Sequence, residues 1–313
     1  MTGDAGEGRE RPVIAAVDCG TNTIKLLIGR LPEVFVRESR TVRLGQGVDR
    51  SGRLADEALD RAFAAIDDYA ELVAAHPVER IRFCATSATR DASNAAVFAA
   101  GVRARLGVDP EVVSGDEEAR LTFDGAVRNL REDPAEPVLV VDIGGGSTEL
   151  VLGSRADGRT LVEAAVSLDI GSVRLFERHL HSDPPSPDEL RACVADVDAA
   201  LDTTEVPLAA ARTVVGVAGS IITVGAGVLD LPAYDPRRTD QAVVAVDEVH
   251  AYVERLGRMT HAERLALPYM HPGRADVIVA GALILDRVLR RTTLASMTVS
   301  EADILDGIAW SIA

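Results

Sequence analysis

Two aspartates occupy equivalent places in this chain. Asp18 ends the apolar run Val13-Ile14-Ala15-Ala16-Val17, and Asp142 ends Val138-Leu139-Val140-Val141. A carboxylate at the end of a buried strand costs free energy unless a cation or N–H groups satisfy it. One such residue alone would read as a cap for its own turn. Two related by a repeat read better as a pair supporting one Mg²⁺ ion, or Mn²⁺ in its place, through oxygen ligands or bound water. Each aspartate leads into a turn suited to an anion. Gly144-Gly145-Gly146-Ser147-Thr148 is the more specific, because three glycines let the backbone approach a ligand without Cβ interference. Gly20-Thr21-Asn22-Thr23 carries a weaker signal. Two such turns facing across a cleft would aim N–H groups and short hydroxyls at one ligand, and phosphate suits that arrangement best. Glu149 lies two residues past Ser147, so it shares a strand face with it and can point at whatever the turn holds. The alternative makes Glu149, and the matching Lys25, solvated strand residues.

Other residues leave their chemistry open. Ser114-Gly115-Asp116-Glu117-Glu118-Ala119 puts acid at a helix start, where the helix dipole alone accounts for it. Ala85-Thr86-Ser87-Ala88-Thr89-Arg90 ends a strand with hydroxyls and a guanidinium, which fits an anion contact or a helix cap equally well. Gly216-Val217-Ala218-Gly219-Ser220 resembles a strand-to-helix phosphate turn, a weak pattern in isolation. Arg274 beside Gly273 is either a phosphate clamp or an ordinary surface arginine. The six histidines form no metal-ligand pattern.

The elements that must position these groups repeat. Residues 13–29 and 137–153 align without a gap, and each reads as strand, tight turn and strand. After the first hairpin come a third strand near 34–42, a helix over 55–75, a strand at 81–85, a helix over 93–106 and a strand at 111–113. Ser114 then caps a helix to about residue 130, with Glu117 at the capping-box position. The second half runs strand 160–167, helices near 172–181 and 188–201, strand 214–218, an apolar helix from Gly219, and a loop over 231–240. Helices near 249–256, 261–267 and 274–291, a strand at 298–300 and a helix over 301–313 follow. Strands, then alternating helix and strand, twice over, make a duplicated α/β protein. The connector Asp133-Pro134-Ala135-Glu136-Pro137 marks the boundary: residues 1–12 as a disordered tail, 13–132 as the first domain joined by helix 301–313, and 133–300 as the second.

The bulk composition excludes some partners. A net charge of −16 provides no positive field for nucleic acid or an anionic membrane. With 32 arginines and one lysine, local positive charge must come almost wholly from guanidinium groups. Cys19, Cys84 and Cys193 lack metal-ligand spacing and read as buried thiols in a reducing, cytoplasmic setting. No secretory signal opens the chain. The uncharged stretch 213–229 is short for a membrane span and holds four glycines, so a buried strand, turn and helix fits it better.

Taken together and in order, these motifs resemble the exopolyphosphatase / guanosine pentaphosphate phosphohydrolase family of the actin-like superfamily, in its short two-domain form. Arg43-Leu44-Gly45-Gln46-Gly47 and Ser167-Leu168-Asp169-Ile170-Gly171-Ser172-Val173-Arg174-Leu175 complete the match, which spans nearly the whole chain. The resemblance implies duplicated ribonuclease H-like lobes around an interdomain cleft. It implies that Glu118 is the catalytic base, that Glu149 and Asp142 (with Asp18) serve the metal and the attacking water, and that Arg90 and Arg274 contact phosphate. The turns at Gly20–Thr23 and Gly144–Ser147, with Gly219-Ser220, become the phosphate cradle. Cys19 stands where an aliphatic residue is usual, and Gly219-Ser220 replaces a more usual Gly-Gly-Thr. Longer relatives carry added domains, so strong processivity on long chains is not expected. The implied activity is release of orthophosphate from inorganic polyphosphate, or removal of the 5′ terminal phosphate of guanosine pentaphosphate, in a homodimer as is common for this architecture. A non-catalytic sensor of polyphosphate or a guanosine polyphosphate nucleotide, and a sugar or acetate kinase, are the competing classes.

Overall fold

The computed structural model describes residues 11–156 and 159–313. Positions 1–10 of the expected tail lie outside the described residues. Two sheets carry the chain. The first contains β1 (Ile14–Cys19), β2 (Thr23–Arg30), β3 (Glu33–Thr41), β4 (Arg80–Ala85) and β5 (Glu111–Val112), in the order β3-β2-β1-β4-β5. The second contains β6 (Val138–Ile143), β7 (Thr148–Ala156), β8 (Arg159–Leu168), β9 (Thr213–Val217), β10 (Val243–Ala245) and β11 (Ser296–Val299), in the order β10-β11-β9-β6-β7-β8. Each sheet starts as an antiparallel three-strand meander and continues through parallel strands: β1 pairs with β4 and β4 with β5, while β6 pairs with β9 and β9 with β11. The protein is therefore a duplicated α/β fold of two ribonuclease H-like, actin-like lobes. Only β10 interrupts the correspondence, pairing antiparallel at one edge.

β1 and β6 are buried along their whole length, which is why they read as unbroken apolar runs rather than alternating ones. On the first sheet, helices Asp56–Ala74 and Ala95–Leu106 cover one face through Leu59, Ile66, Tyr69, Phe98 and Val102. Helix Ile304–Trp310 covers the other through Ile304, Leu305 and Ile308. On the second sheet, helices Ala218–Val228, Val246–Arg258 and Ile278–Leu289 build the larger core. Its other face receives Ala119, Phe123 and Val127 of helix Gly115–Arg128. The two centrally placed helices meet at glycines: a Cβ on Gly125 would strike the Asp303 carbonyl, and one on Gly307 the Leu121 carbonyl. Such backbone-to-backbone approach is possible only without side chains.

Local differences from the sequence reading have physical reasons. The stretch 213–229 divides into β9 and helix Ala218–Val228, and no helix among the described residues is long and apolar enough to cross a membrane. Ser114 Oγ accepts the Glu117 N–H at 3.2 Å, but the Glu117 carboxylate turns to Arg82 Nη2 at 2.6 Å, so the capping box is only half formed. The loop over 231–240 contains a helical turn, Pro236–Thr239, started by Asp235. The helix expected over 274–291 begins at Ile278, after a 3₁₀ turn at Pro272–Arg274.

Candidate active site between the lobes

The hairpin repeat extends to hydrogen bonding. The Gly20 N–H donates to Thr23 O at 2.9 Å, and the Gly144 N–H donates to Ser147 O at 3.0 Å. In each turn the carbonyls are tied back by a following segment. Thr21 O accepts from Gly45 N, and Asn22 O accepts from Val42 N and Arg43 N, all within 3.0 Å. Gly144 O accepts from Ser172 N, and Gly145 O from Val173 N and Arg174 N, at 2.9–3.1 Å. Gly146 O accepts from Arg174 Nε at 2.7 Å. The N–H groups of Thr21, Asn22, Gly145, Gly146 and Ser147 meet no protein acceptor among the described residues. A turn with its carbonyls occupied and its N–H groups free is an anion cradle. This gives a structural reason for the Arg43–Gly47 and Ser167–Leu175 motifs: they brace the two turns.

The turns touch each other. A Cβ on Gly145 would lie 2.9 Å from Thr21 Cβ, and one on Gly146 would lie 2.5 Å from Ser87 Oγ and 2.7 Å from Thr21 Oγ1. The hydroxyls of Thr21 and Ser87 are hydrogen-bonded at 2.8 Å. Gly145 and Gly146 are therefore required by close approach of the other lobe.

Four carboxylates gather around this meeting point. Asp18, Glu118, Asp142 and Glu149 are 4%, 7%, 7% and 2% exposed, which is exceptional for acidic side chains. Strand register places Asp18 opposite Lys25 and Asp142 opposite Glu149. The first pair is internally compensated: Lys25 Nζ lies 3.3 Å from Asp18 Oδ2 and 2.6 Å from Asp303 Oδ2. Burial opposes the ammonium charge, but Asp303 and Asp18 outweigh it and raise the lysine pKa. The second pair consists of two acids. Burial pushes Asp142 upward, aided by Asp303, Glu118 and Asp18 against the pull of Lys25. Burial raises Glu149 far above the usual carboxylate range, aided by Glu118 and Asp142, although the hydroxyls of Ser167 and Ser147 favour its charged form. Burial likewise pushes Glu118 up to about 7 against its bond from Arg90 Nη1, 3.0 Å long. Burial and mutual repulsion disfavour the charged form of these acids, and a bound cation would offset both.

These groups line a cleft of about 650 Å³. Asp18, Gly20, Thr21, Asn22, Thr23, Gly144, Gly145, Ser147, Glu118, Asp142, Glu149, Gly219, Ser220 and Arg274 all face it. Gly146 and Arg90 are not part of the lining: Gly146 packs on Ser87, and Arg90 reaches Val113 O and Glu118. Arg274 lies across Gly219, where a Cβ would collide with its guanidinium, and donates to Thr223 Oγ1 at 2.9 Å. It makes no ion pair within 4 Å among the described residues; burial lowers its pKa, with Tyr234 and Glu301 opposing that at longer range. Thr122 Oγ1 to Asp142 at 3.4 Å and Ser167 Oγ to Glu149 at 2.7 Å orient the second acidic pair.

Among the described residues, no three acidic, imidazole or thiol groups converge closely enough to cage a metal by themselves. Hard oxygen donors on one wall of an anion cradle nevertheless suit Mg²⁺, which typically takes one or two carboxylates and completes its shell with water and substrate phosphate. Sequence reasoning missed Lys25 as an ion-paired cleft residue, along with Thr122, Ser167 and Arg174. The Ser167–Leu175 motif was the available signal for the last two.

Residues 24–313 match the Ppx/GppA phosphatase family. The chain belongs to that family. Among Ppx/GppA relatives, exopolyphosphatase 2 of Mycobacterium tuberculosis is 47% identical, with 96% of this chain and 98% of that protein covered. The crystal structure of an exopolyphosphatase-like protein superposes with a TM-score of 0.91 at 43% identity, covering 95% of this chain and 98% of that one. An exopolyphosphatase from Cytophaga hutchinsonii gives 0.84 at 28% identity, covering 95% and 96%. In this Ppx/GppA member the match includes the second hairpin turn, whereas the first, Asp18–Thr23, precedes residue 24 and is placed by the structure alone.

Proposed function

We propose that this protein is an exopolyphosphatase that hydrolyses the terminal phosphoanhydride bond of inorganic polyphosphate and releases orthophosphate. The observation that carries the reading is the contact between two equivalent turns, both with free N–H groups, beside one buried carboxylate cluster. The names of the relatives agree with it. In this reading residues 13–132 with 301–313 act as one lobe and 133–300 as the other. The N–H groups of Thr21, Asn22, Gly145 and Ser147 cradle the terminal phosphoryl group. Glu118 takes a proton from water as the water oxygen attacks phosphorus, and the bridging P–O bond breaks to leave a chain one unit shorter. Arg90 keeps Glu118 oriented, and its hydrogen bond opposes the effect of burial so that a charged base remains accessible near neutral pH. Mg²⁺ held by Asp142 and Glu149, with Asp18 acting through water, would offset charge on the phosphoryl oxygens. Arg274 contacts the next phosphates along the chain.

Guanosine pentaphosphate is the second reading. Tyr234, Pro236, Pro268, Tyr269, Met270 and Pro272 give one side of the cleft an apolar, aromatic wall of the kind a nucleobase uses. A phosphate-release assay on both substrates, with ATP and ADP as controls and with Mg²⁺ present or chelated, tests the proposal. Release from polyphosphate supports it. Tight binding of every substrate without phosphate release would replace it with a sensor.

A further inference from the structure

Arg174 lies on helix Ser172–His179 of the second lobe and is 12% exposed at its side chain. All three guanidinium nitrogens are used, and each reaches a different partner. Nε donates to Gly146 O at 2.7 Å, Nη1 to Asp49 Oδ1 at 2.6 Å, and Nη2 to Asp91 Oδ2 at 2.5 Å. The first partner is the glycine-rich turn; the other two belong to the first lobe. The same helix adds Glu177, whose carboxylate accepts the Gly47 N–H at 3.0 and 3.1 Å, and Arg178, which also pairs with Asp49. Asp91 directly follows Arg90, which holds Glu118. Ser87, one turn earlier, touches both turns.

We infer that Arg174 is a positioning residue that couples closure of the two lobes to the orientation of the Gly146–Ser147 peptide. With the Gly146 carbonyl held by Nε, the N–H of Ser147 on the same planar peptide is held toward the cleft. The two carboxylates fix that guanidinium relative to the first lobe. Through Asp91 and Arg90 the same contact sets the distance between cradle and base. Misplacement of such a group by about 1 Å is enough to cost on the order of 10²-fold in rate. Lysine cannot replace the arginine, since an ammonium lacks the planar fork that serves three acceptors at fixed angles. The inference rests on the proposed function for its kinetic part and on geometry alone for its conformational part.

The test pairs Arg174→Met, Arg174→Lys, Asp91→Asn and the double variant Arg174→Met/Asp91→Asn with two readouts. The first is kcat and KM for phosphate release. The second is the inter-lobe distance distribution from spin labels at Glu71→Cys and Glu254→Cys, exposed positions on opposite lobes, with the three native cysteines buried. The expected result is a fall in kcat of about 10- to 100-fold with a smaller change in KM, no rescue by lysine, and a double variant no worse than Arg174→Met. The distance distribution should widen toward larger separations. Asp91→Asn changes a half-exposed side chain and tests the coupling even if Arg174→Met folds poorly. An unchanged distance distribution together with unchanged kcat would overturn the inference, as would additive losses in the double variant. An inactive wild-type protein would refute the proposed function while leaving the distance measurement to decide the role of Arg174.

Discussion

Glu118→Gln isolates the role of the base. The side chain is nearly isosteric, and its amide oxygen can still accept from Arg90 Nη1, so helix Gly115–Arg128 keeps its place. What disappears is the ability to take a proton. A general base contributes about 10²–10⁴ in rate, which corresponds to about 2.7–5.5 kcal/mol of transition-state stabilisation. Folding should not suffer. Burial raises the Glu118 pKa to about 7, so the native environment disfavours the carboxylate, and an uncharged replacement relieves that penalty above neutral pH. The expected outcome is a kcat lower by two to four decades, measurable polyphosphate binding, and an unchanged or higher Tm at pH 8. Turnover at the wild-type level would refute the assignment of Glu118. Loss of both activity and Tm would refute the claim that its charge is a burden on the fold.

Three further outcomes follow from the site. Protonation of Glu118 should remove activity, so kcat/KM should climb about tenfold per pH unit below a limb near 7 and level off above it; in metal-free protein the same raised pKa means folding takes up a proton, so urea stability should decline as pH rises from about 4.5 to 7, and Glu118→Gln should flatten that decline. Gly146→Ala places a methyl 2.5 Å from Ser87 Oγ and should force the turns apart at about 1–3 kcal/mol, lowering kcat/KM about 5- to 150-fold; Gly52→Ala, at φ +63° with nothing within 4 Å, should cost about 1 kcal/mol of stability and leave kcat intact. Among the described residues, the lysines and arginines of the cleft lining are Lys25, Arg37 and Arg274, and the first two are already ion-paired, so long polyphosphate should dissociate between cleavages and gel analysis should show intermediate lengths; direct conversion of long chains to orthophosphate would contradict this.

The two hairpins were legible because β1 and β6 are buried on both faces and their turns carry glycine, a local signature that survives in a single sequence. Asp18, Asp142 and Glu149 followed from that repeat. Glu118 did not, because acid at a helix start is already explained by the helix dipole; only the packing of Phe123 and Ala119 on the second sheet turns Glu118 into the cleft. Lys25 was unreadable for a different reason. Its partner Asp303 is 278 positions away, and no local pattern links them. Arg174 had the same difficulty, since its three acceptors come from three separate segments. β10 was missed because three residues are too few to show alternation, and pairing with β11 supplies what its sequence lacks. The half-formed capping box at Ser114 shows a tertiary ion pair overriding a local preference, as Arg82 draws Glu117 away.

The most direct test is a crystal structure of the Glu118→Gln variant with tripolyphosphate and Mn²⁺, the metal located by anomalous scattering. The account predicts the terminal phosphoryl group between the N–H groups of Thr21 and Asn22 on one side and of Gly145 and Ser147 on the other, the metal beside Asp142 and Glu149, and the side chain at position 118 facing the phosphorus opposite the bridging oxygen. A phosphoryl group bound by one turn alone, or seated outside the cleft, would contradict it.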